Sequence, residues 1–400
     1  MNKFEKILII LIGVFLTQSS VIGNINFSLA DPLLIIYCIY LILNNRKWLD
    51  SRIILLLSIF LSYLLILTLI ITPLYWGITT PFLNIITEVV KLILLFGYFF
   101  IGVYITRSGE IKTLILSFTY TCLSIGLVGI FVNFIGGPLK SFFYFGEIRL
   151  KGLMNDPNYF AVLQLCALSV VSNLNINKVS KYIYSLILLG SIFLTGSKTA
   201  FVCLVIFFII NIFKFFKKLN KYNIVVYFTI IIVSSVILYL LKDFNLPSTI
   251  NDSLSRIFSL LNNSQNAISD AGSDRKLAWI TGLKIIQESM FLGTGIGNYL
   301  SIAGTKFNVH ILAHNTYLQI VAEWGIFLGL LILSYILIKS LKMLFIGRLL
   351  TNSYLLEFIV YFLIGSLSIS LNNSRILWLV IGWLYIADKL IKKRSSRGKI

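Results

Sequence analysis

The chain has 400 residues, 58% of them hydrophobic and 12% charged, with a mean hydropathy of +0.92. A soluble domain carries roughly 25% charge, so this sequence cannot cover a water-facing surface and reads as an all-α, polytopic integral membrane protein. Its 34 Lys and Arg outnumber its 15 Asp and Glu, a formal net charge of +19. In a soluble chain that excess would point to nucleic acid. In a membrane chain it carries topology, because basic residues gather in cytoplasmic loops, and no nucleic-acid partner is expected. The four cysteines, Cys38, Cys122, Cys166 and Cys203, stand singly in apolar runs, a spacing that indicates neither a disulfide framework nor a thiolate metal site.

A helix needs about 20 apolar residues to cross a bilayer. On that measure about twelve transmembrane helices are predicted, near 6–22, 29–43, 53–72, 85–104, 113–135, 158–174, 182–195, 199–213, 223–241, 315–338, 355–371 and 376–391. The seventh and eighth are short and separated only by Gly196-Ser197-Lys198, so a re-entrant pair is the alternative there. The chain then divides into residues 1–241, holding nine spans; a large extracytoplasmic loop at 242–314; and residues 315–400, holding three spans and a basic tail.

Orientation follows from the loops. Lys3 and Lys6, the clusters after spans two, four, six, eight and ten, and the tail from Lys389 to Lys399 place 22 of the 34 basic residues on one side. The positive-inside rule makes that side cytoplasmic, with both termini inside. The first span is not a cleaved signal peptide, since its basic leader is short and no small-residue cleavage site precedes Asn24. Lys91 falls inside span four with Glu88, three residues apart, and reads as a paired couple. The other cations lie outside. Long external loops tolerate charge, which accounts for Lys140, Lys242, Lys276, Lys284 and Lys306. Arg149, Lys198, Arg256, Arg275 and Arg375 sit closer to apolar segments and are read as anion-binding.

The outer segments carry the chemistry. A short basic outer loop at 136–157 contains Arg149-Leu-Lys151, followed by Asn155-Asp156-Pro157-Asn158. Asp156 is placed to cap the next helix and Pro157 to open it. Arg149 and Lys151 near that helix N-terminus make a phosphate site. Thr195-Gly-Ser-Lys-Thr-Ala200 is not a P-loop, because the GxxxxGK spacing is missing. In the long loop, residues 275–288 are amphipathic, with Trp279, Leu283 and Ile286 on one face and Ile280 alongside, suited to the membrane surface. Gly293-Thr-Gly-Ile-Gly297 has GxGxG rather than GxGxxG spacing and no βαβ unit around it, so it is read as a tight turn and no cofactor is expected.

His310 and His314, four apart, would suit a metal on a helix, but no third ligand accompanies them and no metal is expected. His314 and Asn315 fall at the outer mouth of span ten. A histidine there is a candidate general base. Glu323 is about 13 Å further along a continuous helix and must face the bundle interior rather than lipid.

Taken in order, Arg149 with Asn155-Asp-Pro-Asn158, then Gly196-Ser-Lys-Thr-Ala200, then Arg275, Trp279 and Gly293-Thr-Gly-Ile-Gly-Asn-Tyr299, then His314-Asn-Thr-Tyr-Leu and Glu323-Trp-Gly325, resemble the O-antigen ligase and O-antigen polymerase family of bacterial envelope glycosyltransferases. The resemblance covers roughly 145–335. One departure is Lys198, where relatives commonly carry Arg; the charge is kept and the bidentate phosphate geometry is lost.

The resemblance implies a plasma-membrane enzyme that moves a glycan from an undecaprenyl-diphosphate carrier to an acceptor sugar on the outer face, most simply polymerising capsule, exopolysaccharide or O-antigen repeats, without metal. Its partners would be the lipid-linked glycan, the acceptor glycan, the bilayer, a flippase and a chain-length regulator. In this reading His314 is the base, and Arg149 and Arg275 hold the diphosphate. Lys151, Lys198, Arg256, Asn315 and Glu323 contact substrate. A ligase that delivers the chain to a final acceptor is the alternative within the family. A polysaccharide transporter or flippase is the alternative outside it, although such carriers favour repeated halves and no repeat is present.

Overall fold

A computed structural model describes residues 2–22, 25–216, 252–253, 255–256, 272–346 and 354–395. The predicted ninth span at 223–241, and most of the loop that follows it, lie outside the described residues. The chain divides into two compact units, Met1–Thr121 with Gln265–Ile400, and Cys122–Ser264.

The first unit opens with helix α1 (Lys3–Phe15), started by the Asn2 side chain, which accepts the Glu5 N–H at 3.0 Å. A two-stranded antiparallel hairpin follows, β1 (Ser20–Ile22) and β2 (Ile25–Phe27), in the register Ser20↔Phe27. Helix α2 (Ala30–Leu43) carries Asp31 in its first turn. Helix α3 (Ser51–Ile66), capped by Asp50, runs into a π-helical turn at Leu67–Ile71 and then α4 (Thr72–Trp76). The wide turn has a local cause in Pro73. Proline lacks the N–H for an α-helical bond and its ring crowds the carbonyl four residues back, here Leu69. A turn with i→i+5 spacing relieves both.

Helix α5 (Phe82–Ser108) ends at Gly109, which is left-handed at φ 84°, and α6 (Ile111–Ile135) starts in this unit and ends in the second. After residue 272 come α11 (Gly272–Glu288), α12 (Tyr299–Phe307), α13 (Thr316–Trp324), α14 (Ile326–Ile346), α15 (Tyr354–Gly365) and α16 (Arg375–Ser395).

Within this unit α5 and α16 approach backbone to backbone. A Cβ on Gly102 would overlap the Leu379 carbonyl, and one on Gly382 would overlap the Phe99 carbonyl. Each helix therefore supplies a glycine against the other's main chain. A partly buried ion pair joins the N-terminal ends of α2 and α16. Arg375 donates from Nε to Asp31 Oδ1 at 2.7 Å and from Nη2 to Asp31 Oδ2 at 2.6 Å, and Tyr98 donates to Oδ1 at 3.0 Å. Arg375 thus meets a carboxylate of its own chain, which corrects its reading as an anion-binding residue.

The second unit contains α7 (Pro138–Phe143), the hairpin β3 (Tyr144–Phe145) and β4 (Arg149–Leu150), and helices α8 (Pro157–Asn173), α9 (Lys178–Leu194) and α10 (Lys198–Phe216). Every residue of α8 from Phe160 to Val171 is buried, which is why its sequence is apolar all round rather than striped.

Among the described residues four helical stretches are long and apolar enough to cross a membrane: Ser51–Trp76, Phe82–Ser108, Ile111–Ile135 and Ile326–Met343. Only 22% of the most apolar window is buried in the first and last, so their remaining apolar surface needs lipid around it. The predicted span at 315–338 is not one helix. Gly325, at φ 84° and ψ 160°, separates α13 from α14 and moves the span to the C-terminal side. A Cβ at Gly325 would overlap the Leu292 carbonyl, so close chain approach sets the break.

Candidate functional site

The second unit gathers cations around one turn. Strand β4 pairs Arg149 with Phe145, and the guanidinium is fixed at both ends: Nε donates to the Thr195 carbonyl at 2.8 Å and Nη2 to Asn158 Oδ1 at 2.8 Å. Asp156 caps α8, accepting the Asn158 N–H at 2.6 Å, with Pro157 in the first turn, as the sequence pattern predicts. Gly196 is left-handed at φ 56°. A Cβ there would stand 3.3 Å from Arg256 Cδ and 3.8 Å from Arg149 Nε. Arg149 and Arg256 therefore flank the same glycine.

Lys198 opens α10 two residues later. Ser197 begins this helix, its Oγ accepting the Ala200 N–H at 3.3 Å. Two guanidinium groups and an ammonium beside a helix N-terminus form an environment for an anion. Lys151 follows β4 half-buried, its N–H bonded to the Phe143 carbonyl at 2.9 Å. Thr195 and Asn158, the residues that orient Arg149, were not singled out in the sequence as its partners. Asn158 lay in a visible turn cluster, but a carbonyl acceptor such as that of Thr195 leaves no trace in residue type.

The first unit holds His314, Asn315, Arg275 and Glu323. His314 is half-buried and left-handed at φ 46°. Asn315 is the N-cap of α13, its Oδ1 accepting the Leu318 N–H at 3.1 Å. Thr316 pins the same helix start to the segment after α15: its N–H reaches the Ser366 carbonyl at 2.8 Å, and its hydroxyl donates to the Ile369 carbonyl at 2.6 Å and accepts the Leu371 N–H at 2.7 Å. These bonds hold the backbone next to His314. His310 lies with His314 in irregular chain between α12 and α13, so the i,i+4 face of a helix, which the metal-pair argument requires, does not exist.

Arg275 sits half-buried in the first turns of α11. The buried face of that helix is Ala278, Thr281, Gly282, Ile285 and Ile286. Leu277, Trp279, Ile280, Leu283, Lys276 and Lys284 are exposed. Ile286 is thus on the rim of the inner face, not with Trp279 and Leu283 as the periodicity suggests, because α13 covers that side. A Cβ on Gly282 would stand 2.5 Å from Leu318 Cδ2.

Glu323 is 5% exposed. Gln319 donates to it at 3.4 Å. The glycine-rich segment 293–297 is the tight turn expected. Gly293, Gly295 and Gly297 all have positive φ, and their Cβ positions are occupied by residues 323–325, Thr68 and Glu88 respectively. Glu88 pairs with Lys91 at 2.6 Å.

The first unit also contains a cavity of about 410 Å³. Its lining is apolar, including Leu57, Phe60, Phe96, Ile320, Leu328 and Trp378, and Thr316 and Tyr317 at the start of α13 border it.

Residues 183–333 match the model of a family described as O-antigen ligase, the family that the ordered motifs resemble. The match includes Lys198, Arg256, Arg275, His314, Asn315 and Glu323, and it stops short of Arg149 and Lys151. No curated protein matches the chain.

Proposed function

We propose that the chain, whose residues 183–333 match the O-antigen ligase family model, is an outer-face glycosyltransferase that uses an undecaprenyl-diphosphate-linked glycan as donor and extends a second lipid-linked glycan. The match supports reading it as a membrane enzyme of envelope polysaccharide synthesis. Polymerisation, the identity of the carrier, twelve spans and cytoplasmic termini belong to this proposal.

The observation that carries it is the pair Arg149 and Arg256 beside Gly196, with Lys198 at the start of α10. A lipid diphosphate is a good leaving group whose negative charge grows as the glycosidic bond breaks. Guanidinium donors, of which that of Arg149 is held by Thr195 and Asn158, stabilise that growing charge. Lys151, in the same unit, has the charge to serve that group, and Arg275 is assigned to it by the resemblance alone.

In the transfer step the acceptor hydroxyl oxygen attacks the anomeric carbon, and His314 takes the hydroxyl proton. The anomeric C–O bond breaks, and its electron pair leaves on the lipid diphosphate. Asn315 caps α13 through its Oδ1 and holds the backbone at His314. The apolar cavity bordered by Thr316 and Tyr317 suits an isoprenoid tail.

The test is purified protein in vesicles with a defined lipid-linked repeat and no ion gradient. Chains of several repeats that remain on the lipid carrier are expected. Transfer to a different acceptor would make the enzyme a ligase. Unextended glycan that crosses the bilayer only when a gradient is imposed would make the chain a transporter.

A further inference from the structure

Helix α11 carries an apolar pair on its exposed side. Trp279 and Leu283 are one turn apart, and Lys276, also exposed, borders them. Lys284 sits further round the helix, its Nζ over the Phe307 ring at 5.9 Å. On the other flank of the pair is Ile286. It belongs to the same buried cluster as Trp76, the last residue of the apolar stretch Ser51–Trp76. The pair therefore lies on the side of α11 that adjoins a span.

The end of the helix extends this surface. Met290 N donates to the Gln287 carbonyl at 3.1 Å and Phe291 N to the Ile286 carbonyl at 3.2 Å, which closes α11. Met290 and Phe291 are both left-handed, at φ 50° and 63°. Glycine is the usual residue at such a helix end, because a Cβ makes this conformation costly. Here two large apolar side chains adopt it in succession, and they are 64% and 46% exposed. In water that exposure adds to the cost, whereas in hydrocarbon it offsets the cost.

The same turn is bonded to the two least covered spans. Tyr63, within Ser51–Trp76, donates to the Leu292 carbonyl at 2.7 Å. The N–H of Ile326, which opens Ile326–Met343, donates to the Phe291 carbonyl at 2.9 Å. Phe327, next along that span, is exposed, as is Leu292. The lipid-facing surface of the spans thus continues through Leu292, Phe291 and Met290 towards Leu283 and Trp279. Tryptophan is at home at such a boundary, and an ammonium beside it suits headgroup phosphates.

We propose that α11 is docked on the bilayer: its Trp279–Leu283 side and the Met290–Leu292 turn are sunk in the phospholipid leaflet around the start of Ile326–Met343, with Lys276 at the headgroup phosphates. Arg275, one turn before Trp279, is thereby carried close to the phosphate plane. This needs only a bilayer around the two spans and does not depend on glycosyl transfer.

The experiment is collision accessibility of nitroxide labels on the full chain, in nanodiscs of phosphatidylethanolamine and phosphatidylglycerol. Single cysteines are placed at Leu283, Met290 and Phe291 in a Cys38→Ser background, since the other three native cysteines are buried. Leu331, exposed on α14, is the lipid reference, and Thr305, exposed on α12, is the water reference. Molecular oxygen concentrates in hydrocarbon and a neutral nickel chelate stays in water. At 283, 290 and 291 the oxygen-to-nickel ratio is expected to exceed that at 305 by at least about threefold and to approach that at 331. A ratio equal to that at 305 overturns the proposal. Exclusion of both probes also overturns it, because the face is then covered by protein, a second copy or another partner.

Phe291→Gly supplies a second reading if labels at the turn disturb folding. Glycine fits the left-handed backbone, yet the change removes part of the apolar anchor. Nickel collisions at a Leu283 label are expected to rise about twofold or more in this variant. Unchanged collisions there would show that the turn does not hold α11 to the leaflet, and would overturn the proposal.

Discussion

At the residue scale, His314 and Arg149 are both held by backbone bonds, yet they ask for different tests. His314 is fixed by its neighbours: Asn315 caps α13 and Thr316 makes three backbone bonds. His314→Gln should therefore leave the chain folded. If the imidazole takes the acceptor proton, the variant loses about 100-fold or more in turnover on a defined donor and acceptor, whereas His310→Ala keeps most of it. Near-normal turnover of His314→Gln would remove the base from the mechanism.

Glu110 offers a pH test away from any span. The Thr113 hydroxyl, and secondarily Lys6 at 3.4 Å, hold its carboxyl below the ordinary value of 4.5. A lowered carboxylate contributes stability that is present above its ordinary value and lost as pH falls through the folded value. Thermal midpoints of wild type should fall between about pH 5 and pH 3 by more than those of Glu110→Gln. Parallel curves would show that the Thr113 and Lys6 contacts are not formed in solution.

At the scale of elements, contact between backbones decides which changes the fold accepts. Gly382→Leu would drive a side chain into the Phe99 carbonyl, and overpacking of this kind costs about 1–3 kcal/mol. Gly190→Ala meets only the flexible end of Ile130 at 3.3 Å and should be accepted. Unfolding midpoints in detergent will separate the two, and equal midpoints would show that α5 and α16 pack less closely than described.

Such contacts also mark the limit of what sequence alone conveys. Apolar runs located α3, α5 and α6 to within a few residues, because length and hydrophobicity are local properties. The N-cap of α8 was legible in Asp156-Pro157, and the turn at 293–297 in its three glycines. The break at Gly325 was not, because a glycine inside an apolar run looks the same whether the helix continues or not. What breaks it is Leu292, remote in sequence. The α11 faces were misjudged at Ile286 for a similar reason: periodicity gives the arc of a helix, and the neighbour, here α13, chooses which part is covered. In the candidate site, residue types identified the cations, but not which of them meet. Arg149 and Arg256 converge on Gly196, while Arg375 is consumed by Asp31.

At the scale of the molecule, the basic residues still predict a topology that the helices alone do not assign. Cysteine-accessibility mapping should find positions near 145, 265 and 305 outside and those near 48, 217 and 345 inside. Position 265 in the cytoplasm would put the proposed chemistry in the wrong compartment.

The pair of Asp31 and Arg375 raises a different matter, that of biogenesis. The partners are 344 positions apart, and the first unit as a whole is built from two stretches with the second unit between them. Chains emerge N-terminal end first, at about 5–20 residues per second. Asp31 therefore waits, with α2 already made, until α16 is translated and brings its guanidinium. A buried carboxylate that lacks its cation is disfavoured, even with Tyr98 and the Ser28 N–H donating to it, so chains that stop short of residue 375 carry a destabilised first unit. Chains ended at residue 374 should be degraded rapidly in cells, and Asp31→Asn should lengthen their lifetime while shortening that of the full chain. Equal lifetimes would mean that assembly is not gated by this charge. The charge pair thus ties the stability of the first unit to completion of the last helix.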